Sequence, residues 1–224
     1  MKRSRVNEII AEGAAFIRGH GVALPPFAWW TREEMAAHRD SGVVRRRLGW
    51  DVTDYGRGDF DRLGLFLFTA RNGDAADLAR GRGMLYAEKI MISRRDQLSP
   101  MHRHVVKAED IINRGGGTLA LRLFASAPDG GVDRAAPVTV PTDGLERTLP
   151  AGGVLALAPG ESVTLMPGVW HAFWAEGADV LIVEVSTVND DLTDNVFEEP
   201  VARFSAIEED AAPLRWLVSD YDRL

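Results

Sequence analysis

The sequence contains no cysteine. That absence excludes a disulfide framework, a thiol nucleophile and any thiolate metal site, and it fits a reducing compartment. Lysine is almost missing as well: among 26 basic residues only Lys2, Lys89 and Lys107 are lysines. There is no excess of positive charge. A formal charge of -7 and a pI near 5.3 leave no electrostatic footprint for nucleic acid or an anionic membrane. No Walker-type glycine loop is present. No apolar run is long enough to span a bilayer. The basic head Met1-Lys2-Arg3-Ser4-Arg5 is followed by Asn7, Glu8 and Glu12, where a signal peptide would need its apolar region. The expectation is a soluble, cytoplasmic protein with neither a nucleic-acid nor a membrane partner.

What is present suits one domain, since 224 residues at 46% hydrophobic content can supply a single core. Val6, Ile9, Ile10, Ala14, Phe16 and Ile17 repeat near a 3.6 period, predicting an amphipathic helix over residues 4–18 with Ser4 as its cap. Thr31-Arg32-Glu33-Glu34 reads as a capping box opening a second short helix to about Asp40. With Trp29, Trp30 and Trp50 these helices form an arm over residues 1–60, packed on the remaining chain or on a second subunit. From residue 63 the pattern becomes short apolar runs, among them 63–70, 85–93, 100–104, 118–125, 154–157, 162–166, 171–175 and 180–187. Gly, Pro, Asn and Asp separate many of them, as in Asn72-Gly73 and Asp143-Gly144. Many short strands with turn signals define an all-β sandwich or barrel. The barrel is placed at 61–188, residues 71–84 read as a loop, and 189–224 as an extension folding back over the barrel.

The chemistry concentrates in Ser99-Pro100-Met101-His102-Arg103-His104 and the turn after it. His102 and His104 are two residues apart, so on a strand both imidazoles share one face. Glu109 follows closely, and Gly115, Gly116 and Gly117 read as a tight turn. His171 lies in a second turn-to-strand segment, Pro167-Gly168-Val169-Trp170-His171. Three imidazoles and a carboxylate make a divalent metal site with open positions. His20 and His38 stand alone and read as ordinary surface histidines. In Val180-Leu181-Ile182-Val183-Glu184-Val185-Ser186 one carboxylate interrupts an apolar run. Such a charge either faces outward in an ion pair or is held inside for a purpose. A chain that uses arginine almost everywhere keeps Lys89 and Lys107 near this region, and lysine can move a proton where arginine cannot.

The arrangement His102-x-His104-x4-Glu109-x6-Gly116 resembles the first cupin motif, and Gly160, Gly168 and His171 hold the spacing of the second. The sequence departs from those motifs at Asp96, where the first usually opens with glycine, and at Pro167 and Ala175. None of these is a ligand position. Longer strings, including Leu48-Gly49-Trp50-Asp51-Val52-Thr53, Tyr86-Ala87-Glu88-Lys89-Ile90-Met91 and Glu184-Val185-Ser186-Thr187-Val188-Asn189-Asp190-Asp191, resemble the D-lyxose isomerase family over nearly the whole chain. The resemblance implies a cupin barrel of the double-stranded β-helix (jelly-roll) type. It also implies a homodimer, a monosaccharide substrate, and manganese as the metal, with cobalt, iron or zinc as alternatives.

Sugar isomerisation accounts for these residue types. An aldose and its ketose differ by one proton moved between adjacent carbons and one moved between their oxygens. A metal acidifies the C–H and stabilises the developing enediol, and a carboxylate takes and returns the carbon proton. The expected ligands are His102, His104, Glu109 and His171. Glu184 is the candidate carbon base and Lys107 the oxygen-side acid, with Glu109 a competitor for the base role. Arg203, Asp190, Phe173 and Lys89 are candidates for contact with the sugar. The expected substrates are D-lyxose and D-xylulose, then D-mannose and D-fructose. The competing classes are an iron cupin dioxygenase and a non-catalytic sugar-binding cupin.

Overall fold

Residues 4–18 fold as the amphipathic period requires, and the apolar runs after residue 63 pair as antiparallel strands. The structure is a computed structural model and describes residues 1–224. The helices are α1 (Arg3–Gly19), α2 (Arg32–Ala37), α3 (Gly42–Arg45) and α4 (Ala75–Arg80). The first strands are β1 (Gly49–Thr53), β2 (Leu65–Arg71), β3 (Tyr86–Ser93), β4 (Ser99–His104), β5 (Glu109–Ser126) and β6 (Val132–Asp133). They are followed by β7 (Val138–Thr142), β8 (Leu145–Leu149), β9 (Val154–Leu157), β10 (Ser162–Leu165), β11 (Trp170–Thr187) and β12 (Asn195–Phe197).

The main sheet runs β1-β2-β3-β11-β4-β12, with β5 alongside β11 and carrying β10, β9 and β6; β7 and β8 form a separate hairpin. The 18-residue strands β5 and β11 pair along most of their length and bend together, so the sheet curls into a barrel. The first half of β11 lies between β5 and β4, and its second half between β5 and β3. This is a cupin barrel.

The glycine run expected to be a turn is instead the bend itself. β5 continues through it, with Gly115 at φ 150° and Gly116 at φ 99°. A Cβ on Gly116 would lie 1.9 Å from the Asp179 carbonyl oxygen, so the two strands can approach only where one lacks a side chain. The register between β11 and β5 shifts at the same place, between Glu176 and Val180. Asp96, standing where the cupin motif opens with glycine, adopts φ 60° and so takes the glycine conformation. Aspartate tolerates that region better than most residues.

Two cores lie on opposite faces of β2 and β3. Leu65, Leu67, Met91, Ile111, Leu121 and Phe173 fill the barrel. Phe66, Phe68, Ile90 and Ile92 point the other way and are covered by Val6, Ile9, Ile10 and Ile17 of α1. Burial on both faces explains why β2 opens with four consecutive apolar residues, Leu65 to Phe68. α1 comes so close that a Cβ on Gly13 would sit 2.5 Å from the Phe66 ring.

The arm therefore packs on the barrel of its own chain, and β1, within residues 1–60, joins the sheet by pairing with β2. The Trp50 indole donates to the Ala28 carbonyl at 2.8 Å, tying β1 to the arm. Ser4 does not cap α1. Its N–H and hydroxyl donate to Asp210 at 2.9 and 2.7 Å, so an acid from the C-terminal extension takes that role. Arg3 is fully buried and donates to Glu209 and to Asp220, at 2.8 Å for the shorter Asp220 contact. Removing Arg3 would take the close cation from the buried Asp220, a loss that typically costs about 3–5 kcal/mol. The capping box at Thr31 forms as expected, with Thr31 Oγ1 accepting from Glu34 N–H at 3.1 Å. Residues 71–84, expected to be loop, contain the short helix α4 capped by Asp74. The extension returns across the barrel mouth, where β12 pairs with β4.

Candidate active site

Strand alternation places His102 and His104 on the inner face of β4. His171, the second residue of β11, lies directly opposite His102. Glu109 opens β5 opposite Ser186. One ligand atom from each of the three histidines falls within 4.8 Å of the others. Glu109 Oε1 lies 3.3 Å from His104 Nε2 and 3.2 Å from His171 Nε2. All four residues line one pocket inside the barrel.

The ring orientations are set from behind. His102 Nδ1 lies 2.9 Å from the Pro100 carbonyl and His171 Nδ1 lies 3.1 Å from the Val169 carbonyl. A carbonyl can only accept, so each Nδ1 carries the proton and each Nε2 keeps a lone pair for the centre. Burial, reinforced by the neighbouring rings of His171 and His104, lowers the pKa of His102 far below its usual value and keeps it neutral. Burial lowers that of His104 as well, against the pull of Glu109. Glu109 is itself buried, but Lys107 and His104 outweigh the burial and hold it ionised. His104 Nε2 and Glu109 Oε1 are buried without any hydrogen-bond partner. Orphaned polar atoms are costly in a barrel interior, and a shared divalent cation would satisfy both. The residues therefore fit a divalent metal.

Beside this cluster runs a chain of alternating charges. Lys107 Nζ lies 2.6 Å from Glu109 Oε2 and 2.8 Å from Glu184 Oε1. Lys89 Nζ lies 3.5 Å from the same Glu184 oxygen and 3.6 Å from Asp191 Oδ1. Arg203 closes the series, 3.2 Å from Asp191 Oδ2 and 2.8 Å from Asp51 Oδ2. Burial works against the charge on Lys107, but Glu109 and Glu184 overcome it and raise its pKa, so it stays an ammonium. Asp191 is likewise held ionised despite burial, by Arg203 and then Lys89.

Glu184, Lys107, Lys89, Phe173 and Arg203 thus all line the pocket with the histidines. Asp190 does not. Its carboxylate accepts from the Leu192 and Thr193 N–H groups and the Thr193 hydroxyl, capping its own turn, and Asp191 faces the pocket in its place. In Asn189-Asp190-Asp191-Leu192-Thr193 the first acid satisfies the local backbone, as short acids in turns do. Sequence reasoning also missed Asp194. One of its oxygens accepts from the amides of Val105 and Val106 at 3.0 and 2.7 Å, the other from that of Lys107 at 2.9 Å. The extension thereby grips the turn that carries Lys107.

Fold and site together define a cupin barrel with a histidine–carboxylate cluster beside a buried acid and two lysines. The family model for D-lyxose isomerase matches residues 1–221. The D-lyxose/D-mannose isomerase of Serratia proteamaculans is 48% identical over 97% of this chain and 96% of its own length. That of Escherichia coli O157:H7 is 44% identical over 99% and 98%. The chain belongs to the D-lyxose isomerase family and is an aldose–ketose isomerase. Among solved structures, Cellulomonas parahominis L-ribose isomerase with L-psicose aligns at a TM-score of 0.62 and 18% identity, covering 93% of this chain and 98% of that one. Acinetobacter sp. DL28 L-ribose isomerase in complex with L-ribose aligns at 0.63 and 16% identity over 93% of this chain and 98% of that one. These two likenesses bear on the fold alone.

Proposed function

We propose that the chain is a metal-dependent isomerase of free aldoses, interconverting D-lyxose with D-xylulose and, as a second pair, D-mannose with D-fructose. The activities of the Serratia and Escherichia relatives support the choice of sugars. The observation that carries the reading is Glu184, a buried carboxylate within reach of two lysine ammonium groups and opening into the pocket of the histidine cluster. His102, His104, Glu109 and His171 would hold the ion, with manganese assigned and cobalt, iron or zinc as substitutes. Once bound, such an ion supplies Lewis acidity that makes the carbon next to the carbonyl easier to deprotonate.

The chain's own residues do the rest. Glu184 removes the proton from C2 of the aldose. The C2–H electron pair becomes the C1–C2 double bond, and the carbonyl π pair moves to O1, which takes a proton from Lys107. Glu184 then returns its proton to C1 as O2 gives up its own to Lys107 and the C2 carbonyl forms. No proton or electron is left over. Glu109 is committed elsewhere, one oxygen to the imidazoles and the other to Lys107, which supports Glu184 as the carbon base. Phe173 and Phe197 supply apolar wall.

Every cation in the pocket already faces at least one carboxylate: Lys107 faces Glu109 and Glu184, Lys89 faces Glu184 and Asp191, Arg203 faces Asp191 and Asp51. None is free for a phosphate, so the pocket suits an uncharged sugar. Incubating the manganese-loaded protein with free pentoses and hexoses and with their phosphate esters tests this. Ketose should form from D-lyxose and D-mannose and not from the esters. Turnover of an ester in preference to the free sugar, or no ketose from any free aldose, would contradict the reading.

A further inference from the structure

Asp51 is a carboxyl group in an unexpected place, with burial pushing its pKa up against the pull of Arg203. It sits on β1, outside the lining of the pocket, and is only 1% exposed. Its strand partner is Leu67, which does line the pocket, so Asp51 points into the barrel just behind the pocket wall. Neither of its oxygens accepts a hydrogen bond of good geometry from any backbone or side-chain donor. Its sole close ionic partner is Arg203, at 2.8 Å. Burying a carboxylate this completely with one partner is costly, and an apolar residue would pack β1 at less expense. Two residues on, Thr53 donates its hydroxyl to the Arg203 carbonyl at 2.8 Å, and Ala202 N–H donates to the Tyr55 carbonyl at 3.2 Å. The end of β1 therefore holds Arg203 by its main chain, and Asp51 holds the guanidinium. The second arm of that guanidinium is taken by Asp191. The group is paired with both carboxylates, and Arg203 lines the pocket.

We infer that Asp51 is a positioning residue for substrate binding: it fixes the Arg203 guanidinium in the pocket wall so that the donors left over meet hydroxyl groups at the end of the sugar away from the reacting carbons. The inference rests on the proposed isomerase reading and adds a residue that touches neither sugar nor histidine cluster. A guanidinium is planar however it is held, and ion pairs at two of its nitrogens limit how that plane can turn, which suits a pair of sugar hydroxyls better than a freely turning group. Glu184 lies beyond Asp191 and Lys89 in the same series, so loss of Asp51 should disturb binding before it disturbs proton transfer.

The test is a double-mutant cycle on the full-length, manganese-loaded protein. Asp51→Asn keeps the shape and removes the charge; Arg203→Ala removes the group it acts through. Loss of a charge-assisted hydrogen bond to the sugar raises KM for D-lyxose about tenfold or more in Asp51→Asn. The expected kcat changes little, and the affinity for xylitol, an alditol with no carbonyl to isomerise, is expected to fall in parallel. In the Arg203→Ala background the same substitution should leave KM unchanged. Equal effects in both backgrounds, an unchanged KM, or a fall in kcat alone would overturn the inference. A lowered melting temperature with unchanged KM would make Asp51 merely structural and would overturn it as well. If Asn prevents folding, Asp51→Thr, whose branched side chain suits a strand, takes its place in the cycle. A wild-type protein that forms no ketose at all would sink the isomerase reading, whereas an active wild type with an unchanged variant would sink only this one.

Discussion

Glu184→Gln is expected to lower kcat by about 10²- to 10⁴-fold, the usual range for removing a positioned general base. The substitution keeps the side chain's length and its polar contacts while deleting the ability to accept a proton from carbon. Metal content should match the wild type, because Glu184 reaches the ligand cluster only through Lys107. Exchange of the C2 hydrogen of D-lyxose with solvent deuterium should fall together with kcat. A variant that isomerises at the wild-type rate removes Glu184 from the mechanism and returns the base role to Glu109.

His171→Ala should have a comparably large effect by a different route. His171 is 1% exposed, and its Nε2 lies 3.2 Å from Glu109 Oε1, at the middle of the cluster. Without it the centre keeps two imidazoles and one carboxylate. Bound manganese after dialysis is expected to fall well below one equivalent. Loss of the charge stabilisation an ion provides is worth several kcal/mol, so activity should drop by about 10³-fold or more. Added manganese should restore part of it. The corresponding change at His38, which stacks on Trp30 at 4.3 Å, should leave metal content intact. Full metal occupancy in His171→Ala would show that the ion is held elsewhere.

The histidines were legible in the sequence because strand alternation is a short-range rule: His102 and His104 need only one unbroken β4. Glu184 shows where the rule stops. Counting from His171 along β11, the inward positions are Phe173 and Ala175, and continued alternation would turn Glu184 outward. The structure instead shifts register between Glu176 and Val180, so that Val180, Ile182 and Glu184 take the inner face. The intrusion of one acid into an apolar run was the better guide, since it measures the cost of burial rather than the count of residues. Asp51 carries the same signal, between Trp50 and Val52, but within residues whose helical pattern reads as an arm. Asp190 and Asp191 could not be told apart beforehand, since either acid can cap the turn and the main-chain path decides which. Asp194 was equally hidden: its partners are backbone amides, which carry no signature in the sequence.

The proposed chemistry depends on where one ion sits. Anomalous diffraction at the manganese absorption edge, from crystals of protein that is active with manganese, locates it directly. The expected result is a single peak within bonding distance of one nitrogen each from His102, His104 and His171 and an oxygen of Glu109. A peak at any other position, or none at these four side chains in crystals of the active protein, would contradict it.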